Sequence, residues 1–328
     1  MKKAVWILYY IIVGSLFTVD SQQTANFSQY MFLPSEYNPG AVGSHEQVCL
    51  SGLFRNQWGN IFSGGNFEGA PSTLYFNGNT DFNLFGANHG VGLTIESDQI
   101  GFQDNDNLKA AYAYRMSIGN GKLGIGVGAG IIFHKLKAEW KTPNEANIPA
   151  NMFIPAENDP AIPSGEEQNP TAFDMDMGIF YKTPKLFVGI SAKHIYTDEM
   201  EYNNINSDLY DPDFFVCGGY NLYVPNTLFE IQPSFLVLSD TKVTNIVLNT
   251  NVLYNNKIFG GLSYRMGNAL TALIGFEMAN NLTVGLSYDF ELSEIGSYYS
   301  ASQEFSIKYC FDIKSDNTPK QYKSIRFL

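Results

Sequence analysis

The chain has 328 residues, a formal net charge of −12 and 16% charged residues, with 30 glycines, 25 phenylalanines and 20 tyrosines. Soluble domains contain about 25% charged residues, so this composition argues against an ordinary soluble protein. The acidic balance argues against a nucleic-acid-binding protein.

The first residues follow the three-part pattern of a secretory signal peptide. Lys2 and Lys3 precede an apolar run from Ala4 to Val19, and small or polar residues follow. A retained membrane helix is the alternative, but the run is shorter than the roughly 20 apolar residues that such a helix needs. We predict a signal peptide at residues 1–21, cleaved after Ser21.

Residues 22–46 form an N-terminal segment that is unusually aromatic for a free periplasmic tail. We predict that this periplasmic segment folds into the β-barrel described next as a plug, or presents a surface to a partner protein. Its candidate residues are Phe27, Gln29, Tyr30, Phe32, Asn38 and Pro39.

About fourteen later stretches alternate apolar with polar residues, most clearly residues 282–290. Alternation places one set of side chains on each face of a strand. No later apolar run is long enough for a membrane helix, and only helices and closed barrels satisfy the backbone in a membrane. We therefore predict an all-β fold, a transmembrane antiparallel β-barrel of about 14 strands over residues 47–311.

The gaps between predicted strands are alternately short and long, with two exceptions. Outer-membrane barrels have short periplasmic turns and longer outer loops, and an even strand number places both termini on one side. The predicted outer loops include 59–71, 98–105, 137–171, 196–212 and 291–301.

Charged residues within the strands share the parity of the inward face. A Lys or Arg on the lipid face costs about 2–4 kcal/mol at mid-bilayer, which supports this register. We favour a salt-bridged lumen over a selective ion path, because charges inside membranes usually pair. The predicted lumen charges are Lys109, Arg115, Asp174, Asp176, Lys193, Glu230, Arg265, Glu277, Asp289 and Lys308.

Four glycines at every second position, Gly124, Gly126, Gly128 and Gly130, share the inward face of one predicted strand. No helix follows them, so they are not a nucleotide-binding loop. Glycine inside a strand marks bending or close approach of other backbone, so we predict room for a segment packed in the lumen.

Two cysteines, Cys49 and Cys310, fall on the inward face near the periplasmic ends of the first and last predicted strands. Barrel closure makes these strands neighbours. A disulfide between them is the less favoured alternative, because the two residues must also match in height.

The sequence contains no catalytic motif, and the four histidines form no metal pair on one element. We therefore predict no enzyme, no cofactor and no metal site. Residues 312–328 are rich in lysine and arginine, and we predict a periplasmic basic tail that contacts a periplasmic component.

Four short motifs occur in order near the start of the predicted mature chain. They begin at Phe27, Asn38, Arg55 and Gly69, and read FSQYMF, NPGAVG, RNQW and GAPST. These motifs resemble the opening of the PorP/SprF family of outer-membrane barrels, which belong to the type IX secretion system and gliding machinery of Bacteroidota.

The resemblance implies a non-enzymatic outer-membrane component. Such a protein binds periplasmic ring or peptidoglycan-linker proteins, or helps to export and anchor a large surface adhesin. The alternative is a passive or hydrophobic-substrate diffusion channel. The end of the first predicted strand has two interpretations. It is either a partner-binding site or a polar and aromatic girdle that fixes the first loop, and its residues are Arg55, Asn56, Gln57 and Trp58.

Overall fold

The computed structural model describes residues 24–59, 70–101, 103–136, 169–202, 205–207, 210–240, 242–278, 281–293 and 301–312. The predicted signal peptide and nearly all of the basic tail lie outside these ranges. Among the described residues, no helix has the length and apolarity to cross a membrane.

Short helical turns open the described chain, and strands make up most of the rest. The turns are a 3-10 turn at Tyr30–Phe32, an α-helix at Pro34–Tyr37 and a 3-10 turn at Pro39–Ala41. The strands are β1 (Val48–Asn56), β2 (Ser72–Leu84), β3 (Ala87–Ile100), β4 (Gln103–Ile118), β5 (Gly121–Leu136), β6 (Thr171–Lys182), β7 (Leu186–Thr197), β8 (Met200–Tyr202), β9 (Ile205–Ser207), β10 (Asp213–Tyr220), β11 (Leu222–Tyr223), β12 (Phe229–Ser239), β13 (Thr244–Tyr254), β14 (Ile258–Arg265), β15 (Ala269–Glu277), β16 (Leu282–Glu291) and β17 (Ser302–Phe311).

One antiparallel sheet closes on itself. Its order runs from β10 through β7 to β1, then from β17 back to β12, and β10 pairs with β12 to complete the ring. The two-residue β11 pairs only with β12, and β8 and β9 form a separate hairpin, so the wall has fourteen strands. The predicted all-β barrel of about 14 strands is confirmed.

The alternating pattern explains which face of each strand is covered. Along β15 the buried residues Ala269, Thr271 and Leu273 alternate with the exposed Leu270 and Ala272. Closed curvature turns the first set toward the bore, where other protein atoms cover it. The second set faces outward, where acyl chains of a membrane would cover it.

The two ends of the barrel differ in their connections, and we name them accordingly. The short-turn end carries tight connections such as 85–86, 119–120 and 255–257. The long-loop end carries the connections between β1 and β2, β5 and β6, and β16 and β17. The short-loop exceptions at 240–243 and 266–268 also lie at the long-loop end.

One predicted outer loop is wrong. Residues 98–105 were expected to form a loop, but β3 continues to Ile100 and β4 begins at Gln103. A strand needs an apolar outer face only where it crosses the hydrocarbon layer. Its backbone hydrogen bonds to the neighbouring strand can continue beyond that layer. The two strands therefore continue as a polar hairpin beyond the apolar belt.

The first and last strands are joined covalently. Cys49 lies directly opposite Cys310 in the β1–β17 register, and the two form a disulfide. The expectation that these two cysteines stay unbonded is therefore wrong, because the closed ring brings them to the same height. Cys217 is a free, buried cysteine.

Candidate functional site in the barrel lumen

Residues 24–46, which we call the plug segment, lie inside the bore. Phe27, Tyr30, Leu33 and Tyr37 of this segment are almost completely buried. They form one apolar cluster with wall residues, namely Leu53, Tyr75, Phe180, Phe215, Cys217, Leu236, Leu238 and Val247. The main hydrophobic core therefore lies between the plug segment and the inner wall.

The plug segment starts at the long-loop end. Thr24 hydrogen-bonds to Asp213, the first residue of β10 at that end. The ring centroids of Phe32 and Phe259 lie 4.9 Å apart, near the short-turn end. The chain then turns back and leaves the bore at Glu46. The described segment therefore begins at the long-loop end and leaves the bore at the short-turn end.

Ser28 is held by four charged wall residues near the long-loop end. Its hydroxyl lies 2.7 Å from Asp289 Oδ1 and 3.2 Å from Arg265 Nη2. Arg55 pairs with Asp289 at 3.1 Å and also with Glu304. Two cations and two carboxylates thus balance one another around one serine, as buried charges require.

Glu304 also holds the backbone of the plug segment. Its Oε1 accepts the Ser28 N–H at 2.7 Å, and its Oε2 accepts the Gln29 N–H at 3.0 Å. The Gln29 side chain accepts the Ser306 hydroxyl at 2.7 Å. Hydrogen bonds to an ionised acceptor are stronger than neutral ones, so this carboxylate fixes the position of the segment.

Farther along the segment, Glu36 forms an ion pair with Lys193 of β7. Asn38 Nδ2 donates to the carbonyl oxygens of Ile179 and Ile190 at 3.0 Å each. These two carbonyls belong to paired residues of β6 and β7. The side chain of Asn38 therefore bridges two neighbouring strands of the wall.

A second charged cluster lies on the wall itself. Asp174, Asp176 and His194 offer three ligand atoms close enough for a metal ion. Lys109 Nζ, however, lies 2.7 Å from Asp174 and 2.6 Å from Asp176. The lysine ammonium therefore supplies the cation for this cluster, and the arrangement fits a salt bridge better than a metal site.

His194 enters the bore through an irregularity in the sheet. The β6–β7 register shifts between Met175 and Met177, and His194 has a positive φ of 54°. Consecutive residues Lys193 and His194 are consequently both buried. Strict alternation assigns them to opposite faces, which is why sequence reasoning missed His194.

Glycines of the wall let its backbone touch the backbone of the plug segment. A Cβ added to Gly124 would lie 2.1 Å from Gly40 O, and one added to Gly126 would lie 2.4 Å from Gly40 N. A Cβ on Gly90 would lie 2.1 Å from Val42 O. No other residue type fits these positions without moving the segment.

The exit of the plug segment is lined by basic residues. Arg115 Nη1 donates to Val42 O at 3.1 Å, and Lys122 pairs with Glu46 at 2.8 Å. Lys308 Nζ lies 2.9 Å from His45 Nε2.

The plug segment separates two open cavities. A cavity of about 290 Å³ at the long-loop end is lined by Thr24, Gln57 and Trp58, among others. A cavity of about 280 Å³ at the other end is lined by Leu33 and Lys308, among others. A smaller cavity, of about 30 Å³, borders Glu36 of the plug segment and Lys193 of the wall.

The sequence-predicted candidates fall into two groups. Phe27, Gln29, Tyr30, Asn38 and Pro39 are buried in the bore, and Phe32 is partly buried. Arg55 and Asn56 are also buried, whereas Gln57 and Trp58 are partly exposed at the long-loop mouth. A partner-binding role for any of them stays a prediction.

The predicted lumen charges lie inside the barrel, with one at its rim. Glu277 is exposed at the short-turn end, where it lines the cavity beside Lys308. Sequence reasoning missed Glu36 and Glu304 as partners of these charges. Glu304 could have been found from the alternation along β17, because it lies two and four residues before Ser306 and Lys308 and therefore on the same inward face.

Fold and site together define a class: a closed outer-membrane-type β-barrel whose bore is filled by its own N-terminal segment. The family described as "Type IX secretion system membrane protein PorP/SprF" matches residues 19–309. The chain belongs to this family, which identifies it as a membrane component of the type IX secretion system. No curated protein has a matching sequence.

Several solved structures resemble this chain. The CymD monoaromatic hydrocarbon channel aligns with 13% identity and a TM-score of 0.47, covering 92% of this chain and 96% of CymD. The outer membrane protein Omp33 of Acinetobacter baumannii aligns with 10% identity and a TM-score of 0.43, covering 81% of this chain and 98% of Omp33. A TodX deltaS2S3 mutant channel aligns with 10% identity and a TM-score of 0.46, covering 81% of this chain and 89% of that chain.

Proposed function

We propose that this barrel is a closed platform of the type IX secretion machinery, which works by binding other proteins and does not conduct solutes. The observation that carries the proposal is the filling of the bore by the plug segment. Charged and close-packed contacts hold that segment at several heights, from Ser28 to Val42. A pore for solutes needs a continuous open path, and a segment fixed in this way blocks it.

Binding surfaces then lie at the two ends. On the periplasmic side, the turns and the basic tail 312–328 are the candidate contacts for ring or peptidoglycan-linker proteins. On the outer side, the long loops and the mouth residues Gln57 and Trp58 are the candidate contacts for a large adhesin during export and anchoring. The signal peptide at residues 1–21 directs the chain to this location and is removed after Ser21.

Two measurements on the purified, full-length mature protein test the proposal. In planar bilayers we expect no conductance steps, whereas a diffusion channel would give steady steps under the same conditions. From detergent-solubilised outer membranes we expect a type IX ring component or a secreted adhesin to co-purify, identified by mass spectrometry. Steady conductance without such a partner would favour the diffusion channel instead.

A further inference from the structure

We propose that the plug segment is a strap that crosses the whole lumen and delivers the mature amino end to the long-loop face of the barrel. The path of the strap through the lumen does not depend on which partner the barrel binds.

The contacts of the plug segment follow the height of the barrel. At the long-loop end, Thr24 is bonded to Asp213, which follows a long connection at the start of β10. At the short-turn end, Gly43 N donates to Asn79 at 3.3 Å, and Glu46 pairs with Lys122 at the start of β5. The two ends of the segment thus lie at opposite ends of the bore.

The strap is fixed at both ends by different means. At the short-turn end it continues directly into β1, where Cys49 is bonded to Cys310 of β17. At the long-loop end, Ser28 is tied to wall residues by charge-assisted hydrogen bonds. A hatch that swings into the periplasm would need a free end on that side, and the strap has none there.

Long loops face the cell exterior in bacterial outer-membrane barrels. Thr24 therefore lies at the outer mouth, on the side of the barrel that faces away from the periplasm. An uncleaved signal peptide is held at the inner membrane, on the opposite side. Removal of the signal peptide is accordingly a condition for the strap to reach its place.

A designed cross-link tests the height of the amino end. In a Cys217→Ser background, the pair Thr24→Cys and Asp213→Cys should form a disulfide in outer membranes, identified by mass spectrometry of linked peptides. The control pair joins Thr24→Cys to Glu277→Cys at the short-turn end and should remain unlinked. A heat-modifiable, folded barrel that lacks the 24–213 linkage would overturn the proposal.

Surface labelling provides a second test that leaves the lumen side chains unchanged. An epitope placed directly after the signal peptide should bind antibody on intact cells, as should an epitope in the β5–β6 connection. An epitope at Asn256 in a short turn should bind only after permeabilisation. If the amino-end epitope behaves like the one at Asn256, the amino end faces the periplasm and the strap model is wrong.

Discussion

Glu36 and Lys193 are 157 residues apart in the chain and form an ion pair inside the bore, where both side chains are nearly inaccessible to solvent. The wall therefore buries a lysine whose direct charge partner is supplied by the plug segment. Neither surface is complete without the other, so the plug and the barrel are parts of one folded unit.

Breaking this pair on one side should destabilise the barrel strongly. Glu36→Gln leaves the Lys193 ammonium buried without its partner, which costs about 3–5 kcal/mol for a typical buried pair. We expect a lower urea midpoint in detergent, measured by the loss of β-sheet circular dichroism. The double variant Glu36→Gln with Lys193→Met should recover part of the loss.

The matched control is an ion pair on the surface. Lys242 pairs with Asp211 outside the barrel, and both side chains are exposed. Lys242→Ala should leave the urea midpoint unchanged, because solvent screens exposed pairs. Equal losses for the Glu36 and Lys242 variants would contradict the burial argument.

The glycines under the plug segment should tolerate no side chain. Gly124→Ala places a methyl group against the carbonyl of Gly40. Overpacking of this kind costs about 1–3 kcal/mol, and here the plug segment is the element that can move. We expect faster proteolysis within residues 24–46 of the folded protein, followed by mass spectrometry.

Gly260→Ala is the corresponding control. Gly260 is an exposed strand residue, and the nearest atom to an added Cβ is Leu273 O at 3.7 Å. This variant should be cleaved at the wild-type rate. Unchanged cleavage in Gly124→Ala as well would show that the close approach does not hold the segment.

The Cys49–Cys310 disulfide should stabilise the seam between the first and last strands. Joining residues 261 positions apart restricts the unfolded chain, and disulfides typically contribute about 2–4 kcal/mol. Cys49→Ser should lower the unfolding midpoint while the barrel still closes through the β1–β17 hydrogen bonds. Reductant should change the mobility of the denatured wild type but not that of Cys49→Ser.

Cys217→Ser serves as the control for the disulfide, since Cys217 is free. Its denatured form should respond to reductant like the wild type. A wild-type protein that migrates identically with and without reductant would mean that Cys49 and Cys310 are unbonded.

A lysine placed on the outward face should destabilise the barrel more at the centre of the membrane than near its surface. Ile274, at the centre of β15, has a relative exposure of 60%, and Ile258, at the start of β14, has a relative exposure of 55%. Ile274→Lys should cost about 2–4 kcal/mol in lipid, and Ile258→Lys about 0–1 kcal/mol. Urea unfolding in phospholipid vesicles measures both costs, and equal costs would contradict the difference in depth between the two positions.

Much of the wall could be predicted because alternation is a local property. A strand with apolar residues at every second position has the same two faces wherever it lies, so residues 282–290 already indicated an outward Leu286 and an inward Asp289. The same reasoning failed where the period changes. The irregularity near Met175 turned His194 inward, and the local sequence pattern does not predict this irregularity.

The sequence by itself determined the alternating strands, the inward placement of their charges and the aromatic character of residues 22–46, because each of these depends only on nearby residues. Only the tertiary structure decided that Glu304 holds Ser28, that Cys49 matches Cys310 in height, and that Thr24 reaches the long-loop end. Such pairings depend on the register between strands and on the path of a segment through the bore. Both are set when the whole ring closes, and no short stretch of sequence contains them.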